Sequence, residues 1–139
     1  MRDEIVITGA GRTAMGGFQG TLSSKTAPEL GGHAIQAALA DAENVAPLID
    51  EVIMGCVLPA GLGQAPARQA SFHSGLSEAI PATTINKMCG SGMKAVMLGF
   101  DQLRCGEADF IVTGGMESMT NAPYLSDGAR SGAKFGHHI

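Results

Sequence analysis

The sequence has no tryptophan, a single tyrosine and five phenylalanines, so any core must be assembled from Ala, Val, Ile, Leu and Met. Charge is also sparse. Asp, Glu, Lys and Arg make up 16% of the chain and the formal net charge is −4, which leaves no basic stripe for a phosphate backbone and excludes a nucleic-acid partner. The three cysteines, Cys56, Cys89 and Cys105, are odd in number, far apart and without metal-ligand spacing, so neither a disulfide framework nor a zinc site is indicated. No apolar run approaches membrane-spanning length, and the N-terminus carries neither an apolar signal core nor an Arg-rich transit segment. These absences predict a reduced, cytoplasmic chain with no membrane partner.

What is present is the composition of one ordinary domain. The 139 residues are 45% hydrophobic, and a chain of that size buries roughly 70% of the surface its unfolded form exposes. Its 20 glycines are about twice the usual share of ~7%. They follow no period, which assigns them to turns and close backbone approaches.

Strand and helix patterns alternate. "EIVIT" (Glu4 to Thr8) is a β-branched run ended by Gly9 and predicts a buried parallel strand, followed by a glycine-broken loop from Ala10 to Lys25. "TAPE" (Thr26 to Glu29) predicts a capped helix start, with Leu30, Ala34, Ile35, Ala38 and Leu39 as the buried face of a helix reaching about Ala42. Glu51 to Leu58 predicts a second strand, Ala67 to Leu76 a short helix closed by Gly75, and Ala82 to Asn86 a third extended segment. A helix from about Gly90 to Arg104, with Met93, Val96, Met97, Phe100 and Leu103 on one face and Gly106 as its stop, leads to a fourth strand from Asp109 to Gly115. This order predicts an α/β protein with a mostly parallel sheet and covering helices.

Cys89 then raises the functional question. A lone cysteine is more often a small buried hydrophobe than a nucleophile. A cysteine between a strand and a helix start is different, because exposed helix N–H groups and the positive dipole end favour a thiolate there. Gly90 and Gly92 would remove side chains beside the sulfur, so that a bulky acyl group approaches and a turn N–H donates to a developing oxyanion. Cys56, inside a strand, and Cys105, at a helix end, read as packing residues, and the eight methionines as core fillers. Glu117 reads as a buried, paired carboxylate at least as readily as a catalytic one, with Arg68 as a partner by charge alone. Gly9, Gly11 and Ala14 imitate a dinucleotide-binding fingerprint, but "GGFQGTLSSK" breaks the helix that should follow and no acid ends the second strand, which argues against that alternative.

Longer stretches carry a family resemblance. "NKMCGSGMKAV" (Asn86 to Val96) resembles the active-site segment of the thiolases, and "TGGMESMTNAP" (Thr113 to Pro123) their segment after the fourth strand. "GAGRTAMGGFQGTL" (Gly9 to Leu22) and "GQAPARQA" (Gly63 to Ala70) resemble two further family loops, with Ala65 where Asn is expected. The nearest group is that of the acetyl-coenzyme A acetyltransferases. The ketoacyl synthases share the fold and a cysteine nucleophile, but "CGSG" and "GGMESM" fit the thiolases better.

The resemblance implies a thiolase-like fold, of which residues 1–120 would form the N-terminal half-domain and 121–139 the lead-in to a loop domain. The fifth strand, the loop domain and the C-terminal half, with the family's histidine and second cysteine, would lie outside this chain. His33, His73, His137 and His138 match no catalytic-histidine motif. The resemblance implies Cys89 as the nucleophile that carries an acyl thioester, with its backbone N–H in an oxyanion hole and Gly90, Gly92 and Met119 in support. It implies Claisen condensation of two acetyl-coenzyme A molecules to acetoacetyl-coenzyme A, or the reverse thiolysis. Coenzyme A thioesters would be the substrates, with no cofactor and no metal. Dimers or tetramers are implied for the full-length protein, with Ala82 to Met88 at a subunit contact. The isolated chain is expected to be inactive, and a non-catalytic, truncated thiolase fold is the alternative.

Overall fold

The structure, a computed structural model, describes residues 4–126, 128, 129 and 132. Its regular elements are helix α1 (Ala27–Asp41), strand β1 (Glu51–Gly55), helix α2 (Pro66–His73), strand β2 (Ala82–Ile85), helix α3 (Ser91–Cys105) and strand β3 (Ile111–Gly115), with short 3-10 turns at Ala46–Leu48 and Met119–Asn121. The three strands form one parallel sheet in the order β2-β1-β3. Parallel strands need crossovers, and α2 and α3 supply them.

The pleat of β1 separates two layers. Val52 and Met54 point into a cluster with Ala27, Ile35, Ala67, Ala70 and Met116, which seats α1 and α2 on one face. Ile53 and Gly55 point to the other face, where Gly55 abuts Ser91 of α3 and Gly99 of α3 abuts Thr113 of β3. β1 is therefore covered on both sides, which explains its unbroken apolar run.

Local signals set the element ends as expected at several points. Thr26 and Glu29 form the reciprocal cap of α1: the Thr26 N–H donates to Glu29 Oε2 at 2.8 Å and the Glu29 N–H to Thr26 Oγ1 at 3.4 Å. That geometry holds the Glu29 carboxyl below the usual carboxylate range, chiefly through the Thr26 bonds. Gly106 ends α3 in the left-handed conformation, and Gly75 follows α2 with φ +83.

Other expectations are corrected. Glu4 to Thr8 forms no strand among the described residues; Val6 and Ile7 are largely exposed. β-Branched residues favour a strand only where a pairing neighbour exists, and here none pairs with them among the described residues, while the next residues, Gly9 to Gly11, lie against α1. The Ala10 N–H reaches Asp41 Oδ2 at 3.4 Å. A Cβ on Gly9 or Gly11 would stand 2.2 or 2.4 Å from the Ala38 or Ala34 carbonyl oxygen, so close contact with a helix, rather than a bound phosphate, accounts for both glycines. With no strand before them and no helix after them, the dinucleotide-binding alternative loses its structural context.

The large apolar stripe of α3 does not face the sheet. Ser91, Ala95 and Gly99 are its buried residues, whereas Met93, Val96, Met97 and Phe100 are exposed. Small side chains let the helix sit close on the strands, and the bulky ones are displaced to the opposite side. Hence methionine fills the core at Met54 and Met116, but Met88, Met93, Met97 and Met119 are all exposed. Cys105 is exposed as well, so it does not pack as the sequence predicts. No helix among the described residues is long and apolar enough to cross a membrane.

Candidate active site

The carboxyl ends of all three strands meet at one edge of the sheet. Beyond the strands, the Cys56 N–H donates to the Ile85 carbonyl at 3.0 Å and the Met116 N–H to the Gly55 carbonyl at 2.9 Å. Each strand then delivers a marked residue a few positions on: Val57 after β1, Cys89 after β2 and Glu117 after β3. Crevices outside the carboxyl ends of strands are where open α/β sheets bind ligands.

The turn from Asn86 to Gly90 presents Cys89 with an exposed thiol directly before the helix. Gly90 is the N-cap of α3 and makes no side-chain cap bond. Met88 has φ +51, a left-handed conformation that an unbranched non-glycine residue adopts only where its surroundings fix it. Two side chains do so. Asn86 Oδ1 accepts from the Met88 N–H at 2.9 Å. Ser91 Oγ accepts from the Lys87 N–H at 2.8 Å and donates to the Met88 carbonyl at 2.6 Å.

Gly92 lies in the first turn of α3 against β3, where a Cβ would make ordinary contact with Gly115 at 3.6 Å. Gly90 belongs to the turn itself. Met119 lies in the 3-10 turn after β3, with its side chain exposed.

Glu117 gathers the donors at the exit of β1. Its carboxylate accepts from the Val57 N–H at 2.8 Å, the Leu58 N–H at 3.1 Å and the Cys56 thiol at 3.7 Å. This removes Val57 and Leu58 from the ladder and explains why β1 stops at Gly55 rather than at Leu58. Cys56 is buried, and burial first, then the neighbouring Glu117 charge, pushes its thiol up to about 11. It remains a neutral S–H donor at neutral pH, distinct in character from the exposed Cys89.

Arg68 does not pair with Glu117. Its guanidinium donates to the Ile80 and Glu78 carbonyls at 3.2 and 2.8 Å and lies over the Phe72 ring. The expected ion pair is thus replaced by backbone donors. His33 sits exposed on α1 and His73 exposed at the end of α2, whereas His137 and His138 lie outside the described residues. No cluster of three metal-ligating side chains occurs among the described residues. Sequence reading missed Ser91 and Asn86; the usable signals were a Ser at the first helical position and an Asn at a strand end, both of which bond to nearby backbone.

Comparison with known proteins agrees with this architecture. Residues 5–139 match the family described as Thiolase, N-terminal domain. The acetyl-CoA acetyltransferase of Saccharomyces cerevisiae is 52% identical over 141 residues, covering 100% of this chain and 35% of the yeast protein. That of Pseudomonas aeruginosa is 52% identical over 134 residues, covering 96% of this chain and 34% of the relative. The mitochondrial acetyl-CoA acetyltransferase B of Xenopus laevis is 55% identical over 128 residues, covering 91% and 30%. The chain therefore spans about a third of the length of the curated relatives it matches. An α/β sheet of this topology, a family match over nearly the whole chain and this degree of identity lead to one conclusion: the chain belongs to the thiolase family and matches its N-terminal domain.

Proposed function

We propose that Cys89 is the acyl-carrying nucleophile of a thiolase reaction on coenzyme A thioesters, with acetyl-coenzyme A as the substrate. The observation that carries this reading is the exposed Cys89 thiol, held on a pinned turn at the carboxyl edge of the sheet and at the start of α3. The names of the relatives support the choice of substrate.

In the first step the Cys89 thiolate attacks the thioester carbonyl, and the electron pair moves onto the oxygen, towards which the Cys89 N–H is proposed to point. Collapse of the tetrahedral species forms the Cys89–acetyl bond and breaks the carbon–sulfur bond to coenzyme A. Coenzyme A leaves as a thiolate and takes up a proton. In the second step a further acetyl-coenzyme A loses a proton from its methyl carbon, and the carbanion attacks the acetyl-cysteine carbonyl. Acetoacetyl-coenzyme A forms and the Cys89 thiolate is regenerated; thiolysis runs the same bonds in reverse.

His33 and His73 belong to the helices on the sheet face opposite α3. Removal and return of the methyl proton are therefore assigned to residues elsewhere in the whole protein. Ala82 to Met88, on the edge strand and the turn, is proposed as the contact between subunits of a homo-oligomer.

The test is the intact mass of the protein before and after brief exposure to acetyl-coenzyme A, with Cys89→Ala alongside. One acetyl group gained by the unaltered protein and absent from the variant is expected. An acetyl group retained by Cys89→Ala, or none on either protein, would overturn the assignment.

A further inference from the structure

We infer that Glu117 and Asn86 are positioning residues for Cys89, joined through the backbone of Val57 into a relay that holds the cysteine turn in its reactive geometry. The inference rests on the reading of Cys89 as the nucleophile, and it concerns two side chains that do not themselves touch the reacting atoms.

Four contacts build the relay. The Glu117 carboxylate, from the exit of β3, accepts the Val57 N–H at 2.8 Å and the Leu58 N–H at 3.1 Å. The Val57 carbonyl then accepts from Asn86 Nδ2 at 3.3 Å. Asn86 Oδ1 in turn accepts the Met88 N–H at 2.9 Å. Met88 is the residue with φ +51, and its carbonyl carbon is bonded to the Cys89 nitrogen. The Asn86 bond fixes the Lys87–Met88 peptide, and Met88, held at φ +51 with its carbonyl bonded by Ser91 Oγ, passes that orientation on to the next peptide, whose N–H is that of Cys89.

Each link suits this role. A carboxylate is an acceptor only, so Glu117 takes backbone N–H groups without ambiguity, and bonds to a charged acceptor are about twice as strong as neutral ones. An amide side chain both donates and accepts, so Asn86 can join a carbonyl on one side to an N–H on the other. Aspartate at that position would keep the bond to Met88 and lose the one to Val57. The exit of β1 is thereby tied to the exits of β2 and β3, and the turn inherits the rigidity of the sheet. Misplacement by about 1 Å lowers oriented chemistry by up to about a hundredfold.

The relay is tested in the protein as its gene encodes it, with Glu117→Gln, Asn86→Asp and the double variant. Two rates are read at Cys89: acylation by acetyl-coenzyme A, which needs an oriented N–H, and alkylation by iodoacetamide, which needs only an accessible thiolate. Each single variant is expected to slow acylation about tenfold and to leave alkylation within about threefold. The double variant should be no slower than the worse single one, since both break one chain. A structural defect alone would move both rates together.

Unchanged acylation in Asn86→Asp, an exposed substitution that keeps the fold even where Glu117→Gln does not, would overturn the relay. So would losses that multiply in the double variant. Absence of an acyl adduct on the unaltered protein would remove the nucleophile and the inference with it, whereas acylation that ignores both substitutions would remove the relay alone.

Discussion

Ser91 Oγ donates to the Met88 carbonyl at 2.6 Å while accepting from the Lys87 N–H at 2.8 Å, so one buried hydroxyl closes both sides of the Cys89 turn. Ser91 is 4% exposed, so its hydroxyl itself makes both bonds out of contact with solvent. Ser91→Ala should therefore cost about 1–3 kcal/mol, the usual penalty for leaving buried polar groups without a partner. Urea unfolding checks the stability, and acetylation of Cys89 should slow in the same variant. An unchanged unfolding midpoint would show that the turn satisfies those groups another way.

Ala65 stands where Asn is expected, and the structure gives the position two reasons to prefer Asn. It is the N-cap of α2 and makes no side-chain cap bond, and it has φ 46 and ψ 68 in the left-handed region. Asn tolerates that conformation and supplies a capping oxygen; Ala does neither. Ala65→Asn should raise stability by about 1 kcal/mol, read as a higher urea midpoint at unchanged slope. Ala65→Gly should give part of the gain, because it relieves the backbone without adding a cap.

The parts legible in the sequence were those fixed locally. The capping box at Thr26 and Glu29 and the stop at Gly106 depend on residues within a few positions of one another. What was not legible depends on distant partners. Helical spacing showed that Met93, Val96, Met97 and Phe100 share a face of α3, but periodicity does not say whether the sheet takes the bulky face or the small one. Ser91, Ala95 and Gly99 won because close approach to β1 and β3 needs small side chains. Glu4 to Thr8 has a strand's composition and no partner strand among the described residues, which local pattern cannot reveal. Glu117 was expected opposite Arg68 on charge alone, whereas backbone N–H groups, invisible in the side-chain sequence, are its donors.

Asp50 gives the fold an acid-sensitive clasp. Its carboxylate accepts the Asp109 N–H at 2.8 Å and the Phe110 N–H at 3.0 Å, tying the start of β1 to the approach to β3. The Phe110 and Asp109 bonds hold its carboxyl below the usual carboxylate range. For a carboxyl with a depressed folded value, the stabilisation is present above the unfolded value, about 3.9, and is lost as pH falls through the folded one. Asp50→Asn should accordingly lower the melting temperature at about pH 7, and the difference should shrink as pH falls below about 3.9 and through the folded value. A difference that persists at the acid end would mean that the amide perturbs packing rather than the charge.

Gly55 and Gly99 both touch the α3 interface, but a methyl group at each meets a different obstacle. At Gly55 a Cβ would lie 2.6 Å from the Ser91 backbone carbon and Cβ, and 2.8 Å from the Gly92 nitrogen. Backbone must move, and the part that moves is the first turn of α3, next to Cys89. At Gly99 the nearest obstacle, also 2.6 Å away, is Cγ2 of the Thr113 side chain, two turns further along the helix. Both Gly55→Ala and Gly99→Ala should lose about 1–3 kcal/mol, as overpacked interfaces do. Only Gly55→Ala should also slow acetylation of Cys89, because only there is the strain delivered to the cysteine turn. Equal acetylation rates in the two variants, at comparable loss of stability, would mean that the turn is held independently of the β1–α3 contact.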